Sequence, residues 1–135
     1  MTKQQTWASP LPWKYPDNMI QISDYVGFVY EIKEKDTGMK YIGIKKFWKK
    51  KRNKKREKVQ SDWRTYNSSC KQLALKMDKN PENYEKKILR LCKTVTEMRL
   101  YETKIQMDYY FDGRWNELFN EVIHIRVRIR KDKSV

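Results

Sequence analysis

Three groups of residues in this sequence are placed where they could do chemistry: a pair of tyrosines, a carboxylate on an apolar stripe and a dense run of cations. Tyr30 and Tyr41 stand eleven residues apart within YVGFVYEIKEKDTGMKYIG, residues 25–43. Glu102 borders the stripe formed by Met98, Tyr101, Ile105 and Tyr109. A carboxylate there is costly to desolvate unless it is paired or bound to a cation. In KKFWKKKRNKKREK, residues 45–58, ten of fourteen positions are Lys or Arg. Apolar residues vanish between Trp48 and Val59, so the run has no face to bury and is expected as a solvated helix extension or a mobile loop. Lys45, Lys46, Lys49, Lys50, Lys51 and Arg56 could neutralise phosphates there, and Arg64 follows shortly after.

The elements that must position these groups are legible in the periodicity. Val26, Phe28, Tyr30 and Ile32 alternate with Tyr25, Gly27, Val29 and Glu31, the mark of a strand with two different faces. Met39, Tyr41 and Gly43 alternate with Lys40, Ile42 and Ile44, and Gly38 supplies the positive φ of a tight hairpin turn. Both tyrosines can then stand side by side on adjacent strands. Ser69 and Gln72 form a capping box opening a helix through Cys70, Leu73, Leu75 and Met77. Residues 78–83, DKNPEN, make a turn, and residues 84–91, YEKKILRL, a third strand centred on Ile88 and Leu89. Thr94 with Glu97 caps a second helix that runs to about Tyr110 and carries Glu102. Residues 122–130, VIHIRVRIR, alternate strictly, and the face of Arg126 and Arg128 is a second candidate phosphate contact.

Length bounds the organisation: 135 residues make one core. Residues 1–24, with Pro10, Pro12 and Pro16 beside Trp7, Trp13 and Tyr15, are expected as an extended arm whose aromatics pack back over the domain. The domain proper is expected over 25–130, with 45–58 as a basic insert and 131–135 as a tail. Thirty-one Lys and Arg against seventeen Asp and Glu give a charge of +14, which makes a polyanion the leading partner. Cys70 and Cys92 have no ligand spacing around them and read as reduced packing residues of an intracellular protein. His124 is the one histidine, which excludes a two-histidine metal site. No apolar run reaches membrane-spanning length, and the first residues lack a signal-peptide core. The expected compartment is the cytoplasm, and the expected state a monomer or weak dimer without a small-molecule cofactor.

The triplets Phe28-Val29-Tyr30 and Tyr41-Ile42-Gly43, at their separation, resemble the GIY-YIG nuclease family. The second matches letter for letter; in the first, Phe28 stands at the glycine position and Gly27 lies one residue earlier. SDWRTYNSSCKQL, residues 61–73, is similar to a segment of the phage-encoded members related to mobile seg-type endonucleases. The resemblance runs over roughly residues 25–125. It implies a small α/β fold (α+β in arrangement): a mixed three- to four-stranded sheet, made of the hairpin, a third strand and the terminal strand, flanked by helices.

Phosphodiester hydrolysis needs a nucleophilic water, charge stabilisation at phosphorus and stabilisation of the leaving oxygen. The resemblance implies that Tyr30 accepts the water's proton, its pKa lowered by nearby lysines, and that Tyr41 orients the water. It further implies that Arg52 binds the scissile phosphate, with Arg56 in reserve, and that Glu102 holds one Mg2+ or Mn2+ ion. Asn120 would close the site, with Asn116 as the alternative. The implied activity is a metal-dependent endonuclease acting on double-stranded DNA, of phage type with a homing or interference role in the host cytoplasm. Two alternatives stand beside it: a catalytically inactive basic DNA-binding domain on the same scaffold, and a basic protein-interaction factor.

Overall fold

The structure, a computed structural model, describes residues 11–15, 21–52, 54–124 and 129, and for 54–56 the backbone alone. Its centre is a four-stranded mixed sheet. The hairpin expected from alternation is there: β2 (Gly27–Glu34) pairs antiparallel with β3 (Lys40–Lys46), and Gly38 turns the chain at φ 77°. On the other side of β2 lies β6 (Tyr84–Cys92), also antiparallel, with a bulge between Val29 and Tyr30. The fourth strand is β1 (Trp13–Lys14), parallel to β6. It therefore comes from the N-terminal segment, whereas residues 122–124 of the expected terminal strand are irregular. Residues 125–128 and 130 of that stretch, with Arg126 and Arg128, lie outside the described residues.

Alternation along β2 divides the core into two. Phe28, Tyr30 and Ile32 pack with Phe47, Trp63, Leu73, Met77, Tyr84 and Ile88 on one face. Val29 joins Ile42, Cys92, Met98 and Leu118 on the other. The first face is covered by α1 (Lys71–Lys79), which buries Leu73 and Met77 and leaves Leu75 60% exposed. The second is covered by α2 (Val95–Phe111), on which Met98 is buried and Tyr101, Ile105 and Tyr109 pack alongside, as their spacing requires. Thr94 caps α2 by accepting the Glu97 N–H at 3.0 Å, and Glu97 reaches back to the Lys93 N–H at 2.8 Å. Trp13 packs edge-on to Phe28 at 5.0 Å and donates its indole N–H to the Trp63 carbonyl.

The basic run is neither helix nor loop. It folds as a second hairpin, β4 (Trp48–Lys51) against β5 (Lys54–Gln60), in a separate two-stranded sheet. A strand exposed on both faces needs no apolar stripe, which is why the missing periodicity did not forbid one. Among the described residues no helix is long and apolar enough to cross a membrane.

Candidate active site

Tyr30 sits opposite Gly43 in the β2–β3 ladder, with its side chain on the same face. A Cβ at residue 43 would lie 2.5 Å from the Tyr30 hydroxyl, so this glycine makes room for the phenol. Tyr41 stands two pairs further along, opposite Ile32, and its ring lies 6.3 Å from that of Tyr30. The spacing in the sequence thus brings the two tyrosines together, and the bulge in the β2–β6 ladder falls beside Tyr30.

Residues 61–70 form a third wall that sequence periodicity does not indicate. Tyr66 meets Tyr30 edge to face at 6.0 Å. Lys45 lies 4.0 Å above the Tyr66 ring and pairs with Asp62 at 2.7 Å. The Ser69 hydroxyl shares a 2.9 Å hydrogen bond with that of Tyr41. Ser69 is consequently not the helix cap its spacing to Gln72 suggested: α1 starts after Cys70 without a side-chain cap. Ser68 holds φ 139°, a region that favours glycine, and its Oγ accepts from the Cys70 N–H at 2.9 Å. Backbone strain of this kind concentrates at functional sites.

Lys86 fastens this wall from beneath. It is 0% exposed, on the inward face of β6 with Tyr84 and Ile88. Its ammonium donates to the Tyr66 carbonyl at 2.7 Å and to Asn67 Oδ1 at 3.2 Å, and lies 4.4 Å from the Trp13 ring centre. Burial lowers its pKa to about 8. Period-2 counting from Tyr84 and Ile88 would have placed Lys86 inward, although its charge argues for solvent.

The phenols are shifted upward. Tyr30 is fully buried, and burial, followed by Tyr66 and Tyr41, holds its pKa well above the ordinary value; Ser68 opposes this. The lowering by lysines expected for Tyr30 is therefore not what its surroundings produce, because desolvation dominates. Its hydroxyl has no hydrogen-bond partner among the described residues. Tyr41 is partly exposed and also raised by burial, with Ser69 opposing and Glu102 among the groups adding to the rise.

Glu102 on α2 is therefore within electrostatic reach of Tyr41. Burial raises its carboxyl, which His124 and Arg99 lower from a distance. No hydrogen bond or ion pair with a described residue neutralises it. No cluster of three or more His, Cys, Asp or Glu suited to a metal occurs among the described residues. A single desolvated carboxylate does fit an ion such as Mg2+, which keeps several waters and takes the rest of its shell from substrate phosphate.

Asn120 is buried, and its amide is spent on backbone: Oδ1 accepts from the Ile42 N–H at 2.9 Å and Nδ2 donates to the Ile42 carbonyl at 2.8 Å. It clamps the middle of the Tyr-Ile-Gly triplet on the outer edge of β3. Asn116 is exposed in a short 3-10 turn, Trp115–Glu117. Arg52 occupies the exposed turn of the second hairpin, and no hydrogen bond, ion pair or ring contact joins it to Tyr30, Tyr41 or Glu102. Lys49, Lys50 and Lys51 line the same hairpin, Lys46 ends β3, and Arg64 stacks 4.4 Å from the Trp63 ring. The Arg56 side chain lies outside the described residues.

Residues 13–111 match the family model described as "Putative endonuclease segE, GIY-YIG domain". No curated protein and no solved structure matches the chain. The matched span takes in both tyrosines, the second hairpin, the strained Ser68 loop and Glu102. With the Tyr30–Gly43 packing and the mixed sheet that holds it, the match makes this chain a member of the segE-type GIY-YIG endonuclease domain family.

Proposed function

We propose that the protein hydrolyses phosphodiester bonds of double-stranded DNA, using one Mg2+ or Mn2+ ion held by Glu102. The observation that carries this reading is Glu102 itself: a desolvated carboxylate without an ion-pair partner among the described residues, close enough to Tyr41 to influence its ionisation. When bound, the ion would stabilise charge on the phosphate and on the leaving oxygen. Tyr41, partly exposed and held by Ser69, orients the attacking water through its hydroxyl. Tyr30, protonated at neutral pH in this buried setting, acts as a hydrogen-bond donor, its hydroxyl being without a partner among the described residues. Lys45 and the second hairpin supply positive charge for the backbone, with Arg52 as the phosphate ligand once substrate is present. The resemblance of residues 61–73 to phage-encoded members extends this reading to a phage-type role in homing or interference.

A plasmid-nicking assay with Mg2+ tests the reading. The parent cuts, EDTA stops it, and Glu102→Ala and Tyr30→Phe each lower the rate by roughly 10²-fold or more while DNA is still bound. A parent that shifts DNA on a gel and never cuts it would make the chain a silent DNA-binding domain. Binding that ignores DNA and survives high salt would instead identify a protein-interaction factor.

A further inference from the structure

The second hairpin has features of a docking element. Its base is locked to the core: Phe47 is fully buried, its N–H donates to the Val26 carbonyl at 2.9 Å, and its carbonyl accepts from Ser61 N–H at 2.7 Å. The Trp48 indole donates to the Tyr25 carbonyl at 3.1 Å, and the Ser61 hydroxyl to the Lys46 carbonyl at 2.6 Å. Beyond Trp48 the character changes. Lys49, Lys50, Lys51 and Arg52 are all exposed, and neither β4 nor β5 is hydrogen-bonded to the main sheet.

Two details indicate what this ribbon is built against. Consecutive strand residues point to opposite faces, so Lys49 and Lys50 make both faces basic. Contact with a flat polyanion would leave one face idle, whereas a DNA groove has a phosphate wall on each side. Lys50 also stands directly opposite Lys58 in the ladder. Like charges across a pair are destabilising, and a two-stranded ribbon in water is marginal to begin with. Lys51 with Glu57, at 3.4 Å and half exposed, relieves little of this. A polyanion on both sides would relieve it.

We infer that the β4–β5 ribbon inserts into the major groove of B-form DNA, anchoring the duplex beside the tyrosine site. The groove, about 12 Å wide, admits a two-stranded ribbon; the deep, narrow major groove of duplex RNA does not. The inference rests on the DNA reading proposed above and adds the groove, the element and the exclusion of A-form substrate.

The test uses the full chain with Glu102→Ala, so that substrate is not consumed. Duplex DNA is titrated over a range of salt, with duplex RNA of the same sequence as the comparison. The expected result is that Lys49→Ser/Lys50→Ser/Lys51→Ser lowers the salt slope by roughly 2–3 and abolishes the preference for DNA over RNA. Bulky substituents at the pyrimidine C5 position, which fill the major groove, weaken binding about tenfold or more, whereas a minor-groove ligand does not compete. A second pair of substitutions, Lys50→Thr/Lys58→Thr, removes the like-charge pair, so it protects the ribbon amides from hydrogen exchange while weakening DNA binding. Unchanged affinity and slope in the lysine variants, or competition by the minor-groove ligand alone, overturns the inference. If the parent still cuts DNA in a Glu102-dependent way under that outcome, the nuclease reading stands. If the parent neither binds nor cuts DNA, both fall.

Discussion

Asn120 and Ile42 are joined by two hydrogen bonds, N–H to Oδ1 at 2.9 Å and Nδ2 to carbonyl at 2.8 Å, so that a side-chain amide does the work of a neighbouring strand. Ile42 lies between Tyr41 and Gly43, and the Gln106 amide reaches the same carbonyl at 3.4 Å. Asn120→Ala takes the partner from the buried Ile42 N–H and leaves the carbonyl with the longer Gln106 contact, and is expected to cost about 2–3 kcal/mol in urea unfolding. A loss below about 0.5 kcal/mol would show that β3 needs no such clamp.

Tyr30→Phe is expected to separate stability from activity. The Tyr30 hydroxyl is buried without a hydrogen-bond partner among the described residues, so its removal should leave the fold as stable or raise stability by about 1 kcal/mol, while cleavage is lost. Gly43→Ala drives a methyl to 2.5 Å from that hydroxyl and 2.6 Å from the ring carbon bearing it, and should cost about 1–3 kcal/mol. Combining it with Tyr30→Phe recovers part of the loss, because the oxygen goes and the ring stays. Thermal unfolding of the three variants checks both points; no recovery in the double variant would contradict the packing.

Ser69→Ala and Tyr41→Phe remove the same 2.9 Å hydrogen bond. A double-mutant cycle on the cleavage rate should therefore show coupling of about 0.5–1.5 kcal/mol, the double variant being hardly slower than the worse single one. Additive effects would mean that Ser69 acts elsewhere, for example on α1.

Lys86 gives stability a pH dependence of unusual sign. Burial lowers its pKa in the folded protein to about 8 against an ordinary 10.5. Between those values the unfolded chain holds more protons, so stability rises with pH, starting near 8. Above pH 10 the trend is opposed by Tyr84, whose pKa is raised to about 12 by burial and by Glu34. The window to measure is pH 7.5–9.5, with urea unfolding of the parent against Lys86→Met. The parent's stability should climb relative to the variant; parallel curves would show that Lys86 is not desolvated in solution.

How much of this was legible beforehand depended on the range of the interaction. Alternation in residues 25–43 gave the hairpin, both of its faces and the pairing of two tyrosines, because a strand's facing pattern is set by successive residues. The stripe on α2 and its Thr94 cap were equally local. The basic run was not: lacking apolar periodicity, it carried no signal for a strand, and only pairing between Trp48 and Gln60 defines it. The strand at Trp13–Lys14 carries no signal for a similar reason, since two residues are too few to show a period.

The sequence by itself determined the charge, the two-faced hairpin, the helix that carries Glu102 and the resemblance in its tyrosine triplets. Tertiary structure decided what those groups experience. Desolvation by Trp13, Phe28 and Tyr66 pushes the Tyr30 pKa up instead of down. Ser69 bonds Tyr41 instead of capping a helix, Asn120 holds Ile42, and Lys86 is buried under a strained loop. Burial and hydrogen-bond partners are properties of residues distant in the chain, and only folding makes them neighbours.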